Sequence, residues 1–416
     1  MTSFQDMSRS GRSGENAVGA VFQGSITHNS QLTTHAVPGL YLHIPFCKQA
    51  CHYCDFHFST SLALKSRLVA AIAEEIRLRC DYLGPRPVID TVYFGGGTPS
   101  LLTASELNQL FEAIAAHFEL APNAEITLEA NPDDLSPAKL AELRHSPLNR
   151  LSIGLQSFHE PHLRLMNRAH TAQESTAAVR RAQDAGFENI SIDLIYGIPA
   201  AGHHVWEADL ANALALNVPH VSAYALTIEP GTAFESWQRK GRFAAPPDEF
   251  VATQFELLLT TLRGAGYEQY EISSFCQPGR ESRHNSAYWA GVPYLGLGPS
   301  AHSFDGQNRL ATLANNPQYV AAVLDRREVP TTTDLLSPRD RANEYLLTTL
   351  RTSRGTNLAH LRTALGHDLT ATHAPYLAQL EANGWATIQN EVLTLTDAGK
   401  LLADQITLEL FAAEGA

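Results

Sequence analysis

The sequence predicts an α/β protein: βα units on a parallel sheet, arranged as an open partial barrel or a doubly wound sheet, followed by a smaller C-terminal winged-helix-like domain. Three observations carry that expectation. Six extended segments alternate with helical patterns at roughly thirty-residue spacing, as βα units on a parallel sheet do. The polar residues that stand out follow those segments, where βα folds carry their chemistry. After about residue 245 the alternation stops and the chain turns to short helices and a small hairpin.

Taken in order, residues 1–38 are rich in Ser, Gly, Thr, Gln and Asn and lack an apolar signal-peptide core. They are expected to form a disordered N-terminal extension. The first strand is expected over 39–44, and a helix over 61–80. The second strand, 90–94, runs into Gly95-Gly96-Gly97-Thr98-Pro99. A helix then starts near Thr103, where Thr103 and Glu106 have capping-box spacing. Further strands are expected over 125–129, 150–155, 190–194 and 220–226. Six such units are too few for a closed eightfold barrel. A helix over 249–265 and a strand over 267–272 end the barrel region, 39–270. Residues 271–339 read as a connecting region containing a loop rich in His, Tyr, Trp and Gly. Residues 340–416 read as the C-terminal domain, with a hairpin over 385–388 and 392–395 and a last helix from Thr396.

Composition limits the function classes. Hydrophobic residues make up 44% and charged residues 18% of the 416, a globular balance. The net charge of -13 argues against a broad electrostatic grip on nucleic acid. From Asp340 onward five Lys/Arg face nine Asp/Glu, so the winged-helix-like domain is expected to pack or dock rather than bind DNA. No run of about 18 apolar residues predicts a membrane span. Five cysteines, three of them within eight residues, point to an intracellular metal site rather than a disulfide framework, and hence to the cytoplasm.

Those three, Cys47, Cys51 and Cys54, have the spacing C-x3-C-x2-C. Thiolates are soft ligands that suit iron–sulfur clusters or zinc. Structural zinc takes four protein ligands, often as two pairs, and no second pair follows. A zinc site would have to recruit His43, His52 or His57. Three thiolates on a [4Fe–4S] cubane leave one iron open to a ligand. The glycine triplet lets backbone approach a ligand closely. It is not a phosphate loop, because no Gly-Lys-Ser/Thr follows.

Tyr41-Leu42-His43-Ile44-Pro45-Phe46-Cys47, then Cys51 and Cys54-Asp55-Phe56, resembles the radical-SAM superfamily. More narrowly, it resembles the branch containing oxygen-independent coproporphyrinogen III oxidase and the heme chaperone HemW. The resemblance runs from about Gly39 to the C-terminus. It implies a three-quarter βα TIM-type barrel, a cluster on the three cysteines, and S-adenosylmethionine (SAM) on the open iron. It also implies roles for individual residues. Gly96, Gly97 and Thr98 would contact the methionine amine, and Glu129 the ribose hydroxyls. Gln156 and Arg168 would face the ribose and carboxylate, Asp193 would line the site, and Tyr41 would lie near the cluster.

Two features separate the members of that branch. The oxidases continue to a fourth cysteine two residues on, where this chain has Phe56. His284-Asn285-Ser286-Ala287-Tyr288-Trp289 matches an H-N-x-x-Y-W motif that resembles the chaperones' heme-binding signature. Imidazole is a common axial ligand to heme iron, and Tyr288 and Trp289 offer flat faces to a conjugated ring. His302 is a weaker second candidate. The expected function is a heme carrier that serves an acceptor hemoprotein, with an electron donor the sequence does not reveal. The alternative is oxygen-independent coproporphyrinogen III oxidase, working by radical decarboxylation to protoporphyrinogen. A homodimer is left open.

Overall fold

The computed structural model describes residues 37–412. The expected N-terminal extension lies outside the described residues, apart from its last two. Six parallel strands follow one another in space as they do in sequence: β1 (Gly39–Ile44), β2 (Val88–Gly96), β3 (Glu119–Ala130), β4 (Arg150–Gln156), β5 (Asn189–Tyr196) and β6 (His220–Ala225). The alternation of elements alone leaves a partial barrel and a doubly wound sheet open; the strand order bears out the three-quarter barrel that the resemblance implies. A doubly wound sheet reverses its strand order at a switch point. Here the order never reverses, so right-handed crossovers put every connecting helix on one face and the sheet curls into a barrel.

Alternation along the strands divides their side chains between two environments. Leu40, Leu42 and Ile44 of β1, Val92 and Phe94 of β2, Leu151, Ile153 and Leu155 of β4 and Ile190, Ile192 and Leu194 of β5 are essentially buried in the main apolar core, beneath the helices. Each contributes roughly 1.5–3 kcal/mol by leaving water. The intervening residues face the lumen and are mostly polar, among them Tyr41, Thr91, Tyr93, Glu125, Arg150 and Asp193. That departs from the packed aliphatic interior of an ordinary TIM barrel.

The segment 271–339 does more than connect. It adds β8 (Ser274–Cys276), β9 (Tyr294–Leu297), β10 (His302–Phe304), β11 (Asn308–Thr312) and β12 (Thr331–Leu335) to the same twelve-stranded sheet. β9 runs parallel to β1, and β8 lies antiparallel between β6 and β7 (Glu268–Glu271). The sheet therefore ends at β12 and β7 and stays open. The stretch read as a loop rich in His, Tyr, Trp and Gly contains a helix, Arg283–Trp289, capped by the Ser282 side chain. At seven residues it is too short to show a period.

The C-terminal part has its own core, built on Leu346, Leu361, Leu380, Leu393 and Ile406. Three antiparallel strands, β13 (Thr356–Asn357), β14 (Ala386–Gln389) and β15 (Val392–Leu395), pack with short helices in a winged-helix-like arrangement. It docks on both edge regions of the open sheet. Arg309 of β11 forms a bidentate pair with Glu344 at 2.6 Å and 2.6 Å, and Arg351 reaches Glu271 of β7 at 2.8 Å. Among the described residues no helix is long and apolar enough to cross a membrane.

Candidate functional site

The cysteine loop leaves the carboxyl end of β1 and is tied down at several points. Cys47 N donates to Ser59 O at 3.1 Å, and Ser59 N donates to Pro45 O at 2.9 Å. His52 N donates to Met166 O at 3.1 Å, His52 Nδ1 bonds Leu165 O at 2.8 Å, and His52 O accepts from Phe234 N at 3.1 Å. Lys48 pairs with Asp133 at 2.7 Å and also with Asp134, just after β3. His43 is wholly buried beneath the loop. Its Nε2 bonds the His57 carbonyl at 2.9 Å, so that nitrogen carries the proton. Nδ1 is then left to accept from the Tyr41 hydroxyl at 3.1 Å. Burial pushes the His43 pKa down to about 4, which keeps the ring neutral.

Burial also pushes the Cys47 thiol up to about 11 and the Cys54 thiol up to about 12. Thiolate there calls for a strong local positive charge, which bound iron supplies. Among the described residues no three His, Cys, Asp or Glu side chains converge closely enough to hold one metal ion. Three soft thiolates from one loop are the donor set that a cubane takes, one per iron.

The residues expected around SAM gather beside the triad. Gly96 has φ +103 and donates its N–H to Glu129 at 3.1 Å, while Tyr93 donates its hydroxyl to the same carboxylate at 2.8 Å. Burial raises Glu129 to about 7 despite those bonds. Gly97 N donates to Ile44 O at 3.0 Å and Thr98 N to Phe46 O at 2.6 Å, stitching the glycine loop to the cysteine strand. Gln156 sits at a register shift in β4 with φ 68, a left-handed conformation uncommon for a residue with a Cβ. Asp193 accepts from Ser152 at 3.4 Å, and burial raises its pKa.

Arg168 joins these parts. Its Nη2 donates to Asn131 Oδ1 at 2.6 Å and to Gly154 O at 2.7 Å. Its Nη1 lies 3.4 Å from both Cys51 Sγ and the Tyr53 hydroxyl. Its Nε is buried with no hydrogen-bond partner among the described residues. A buried, unused guanidinium N–H is costly unless an acceptor arrives, and a carboxylate beside the triad meets that need. The donor set and the orphaned Nε thus fit SAM. Sequence reasoning missed Tyr53 and Tyr93. A signal was available for Tyr93, which shares a strand face with Gly95.

Of the heme-motif residues, His284 reaches into the lumen, against the same Tyr93 that bonds Glu129. The helix Arg283–Trp289 has its first N–H groups capped by Glu125, which accepts from Arg283 N at 3.1 Å and His284 N at 3.0 Å. His284 is 2% exposed and stacks on Tyr93 at 4.9 Å. Its Nδ1 bonds Thr91 Oγ1 at 2.7 Å and its Nε2 bonds the Tyr288 hydroxyl at 2.8 Å. Both ring nitrogens are therefore engaged. Trp289 packs under the Arg351 guanidinium at 5.3 Å. His302 opens β10.

Known proteins are similar to the chain over most of its length. Residues 41–209 match the model of the radical SAM superfamily, and residues 336–402 match that of the HemN C-terminal domain. The chain is 36% identical over 377 residues to the heme chaperone HemW of Mycobacterium tuberculosis, covering 89% of this chain and 94% of that one. It is 33% identical over 369 residues to heme chaperone HemW of Bacillus subtilis, covering 88% and 97%. It is also 33% identical over 386 residues to that of Escherichia coli, covering 90% and 98%. The fold is similar to that of coproporphyrinogen III oxidase (HemN) from Escherichia coli, with a TM-score of 0.78 at 22% identity, over 91% of this chain and 92% of that one.

Proposed function

The chain belongs to the radical SAM superfamily and, within it, to the HemW family, and from that membership we propose that it is a heme chaperone. It binds a [4Fe–4S] cluster, SAM and heme, and passes heme to an acceptor hemoprotein. The observation that carries the cofactor part is the pairing of three separate thiols with the orphaned Arg168 Nε beside them. Cys47, Cys51 and Cys54 would hold the cluster. Tyr41, Gly96, Gly97, Thr98, Glu129, Gln156, Arg168 and Asp193 would hold SAM. Bound there, the pair supplies one-electron chemistry at the sulfonium. The protein's share is to fix the methionine end with Arg168 and the glycine loop, and to present Glu129 to the ribose.

Heme enters through the relatives' function and through His284, Tyr288 and Trp289. For His284 to ligate iron, one of its ring nitrogens has to give up Thr91 or Tyr288. The missing fourth cysteine, replaced by Phe56, favours the chaperone over the oxidase. The place of action is the cytoplasm, with a separate electron donor as a further part of the proposal.

The test is anaerobic reconstitution with iron and sulfide, followed by separate heme and SAM titrations of the wild-type chain and His284→Ala. Binding of both ligands, with heme binding altered in the variant, is the expected result. Cluster-loaded protein that takes up no heme defeats the chaperone reading. Conversion of coproporphyrinogen III with SAM and a reductant would replace it with the oxidase.

A further inference from the structure

We propose that Thr127, Arg150 and Asn189 form a carboxylate-binding subsite inside the barrel, separate from the SAM site. The three are neighbours across adjacent strands: Thr127 of β3 pairs with Arg150 of β4, and Arg150 pairs with Asn189 of β5. They share strand parity with Glu129, Ser152 and Ser191, so all three face the lumen. Thr127 Oγ1, Arg150 Nε and Asn189 Oδ1 are each buried and have no hydrogen-bond partner among the described residues. Thr127 is 0% and Arg150 2% exposed. Orphaned buried polar atoms are few in any fold, and here three fall in one register row.

The guanidinium makes the row an anion site. The carboxylate nearest to it, Glu125, stands 4.0 Å from Arg150 Nε. Both Glu125 oxygens already accept N–H groups from the helix Arg283–Trp289. A buried charge with so distant a partner carries a desolvation cost that this pair does not offset. An anion between Arg150 and the Thr127 hydroxyl would satisfy both donors, and Asn189 would turn its amide nitrogen inward.

SAM's own carboxylate cannot serve. Arg168 is anchored at Gly154, four residues along β4 from Arg150 and so roughly 13 Å away at the rise of a strand. The anion therefore belongs to a second molecule, lying in the lumen below the cluster. Guanidinium geometry and the limited width of one register row suit a carboxylate arm. Heme and other porphyrins carry such arms, and so do free small acids. The inference does not depend on the heme reading.

Propionate is the probe, titrated against the full chain by ligand-observed NMR. Binding to wild type, its loss in Arg150→Gln and at least a threefold weakening in Thr127→Val are expected, with thermal melts confirming that each variant folds. No binding to wild type, or equal binding to Arg150→Gln, overturns the proposal. Should Arg150→Gln not fold, unchanged binding in Thr127→Val overturns it. Heme and its dimethyl ester identify the source of the arm. At least tenfold tighter binding of heme, lost in Arg150→Gln, assigns the arm to a porphyrin. Equal binding of the two, with propionate retained, assigns it to a small acid. A chain that binds propionate but no heme keeps this subsite and loses the chaperone reading.

Discussion

Arg168 places its Nη1 3.4 Å from the Sγ of Cys51, 117 residues away along the chain. The same guanidinium holds Asn131 and the Gly154 carbonyl and leaves Nε unused. It thus links the thiol of Cys51, a proposed cluster ligand, to the end of β4 through one planar group. Lysine keeps the charge but cannot reproduce the fork.

Arg168→Lys should therefore retain the cluster but bind SAM at least tenfold more weakly, since a charged hydrogen bond is worth about 1.5–3 kcal/mol. Arg168→Gln, which also removes the positive charge beside Cys51, should shift the cluster's reduction potential to a more negative value. SAM titration and a potential measurement followed by electron paramagnetic resonance read the two effects. Unchanged values in both variants would remove Arg168 from the site.

The cysteines divide into two groups. Cys51→Ser should abolish the iron–sulfur chromophore while the barrel keeps its fold. Cys80→Ser and Cys276→Ala should reconstitute fully, because neither residue lies in the loop that follows β1. Iron and acid-labile sulfide analysis checks the content of each variant. A full cluster in Cys51→Ser would refute the ligand assignment.

Gly97 has no room for a side chain. A Cβ there would lie 2.7 Å from Phe46 O, 2.8 Å from Ile44 O and 2.8 Å from Phe46 N, all of them backbone atoms of the segment leading into Cys47. Gly97→Ala should cost about 1–3 kcal/mol by overpacking and displace the cysteine loop. A lower melting temperature, together with weaker SAM binding, is expected. Gly202→Ala is the control, because its Cβ would meet nothing closer than 3.7 Å.

Asp209 makes a pH test. It is 2% exposed and accepts from Ser157 Oγ at 2.6 Å and Phe158 N at 2.7 Å, holding the turn after β4. Burial outweighs those bonds and raises its pKa to about 6 from 3.8. The folded state then binds more protons than the unfolded state between those values, so stability from this group is fullest below about pH 4 and falls as pH rises to about 6. Asp209→Asn does not titrate. Its stability relative to wild type should improve by on the order of 3 kcal/mol across that window and stay level above it. A difference that does not change with pH in chemical denaturation would contradict this.

The sequence by itself determined what is local. The cysteine spacing lies within one loop. β1 matches its predicted span, 39–44, because six consecutive residues alternate cleanly. Thr103 and Glu106 form the predicted capping box because its atoms are three residues apart. β1 to β6 were each visible as a segment, and so was the C-terminal hairpin. Only the tertiary structure decided what those segments make together. The choice between a partial barrel and a doubly wound sheet rests on strand order, which no single segment encodes. β8 and β10 are three residues each, too short to show alternation. His284 is enclosed by Thr91 and Tyr93 from the far side of the chain, and the row Thr127, Arg150, Asn189 exists only because three strands stand in register. Periodicity and spacing report short-range geometry. A buried charge and its missing partner are properties of long-range pairing, and they become visible only once the chain has closed on itself.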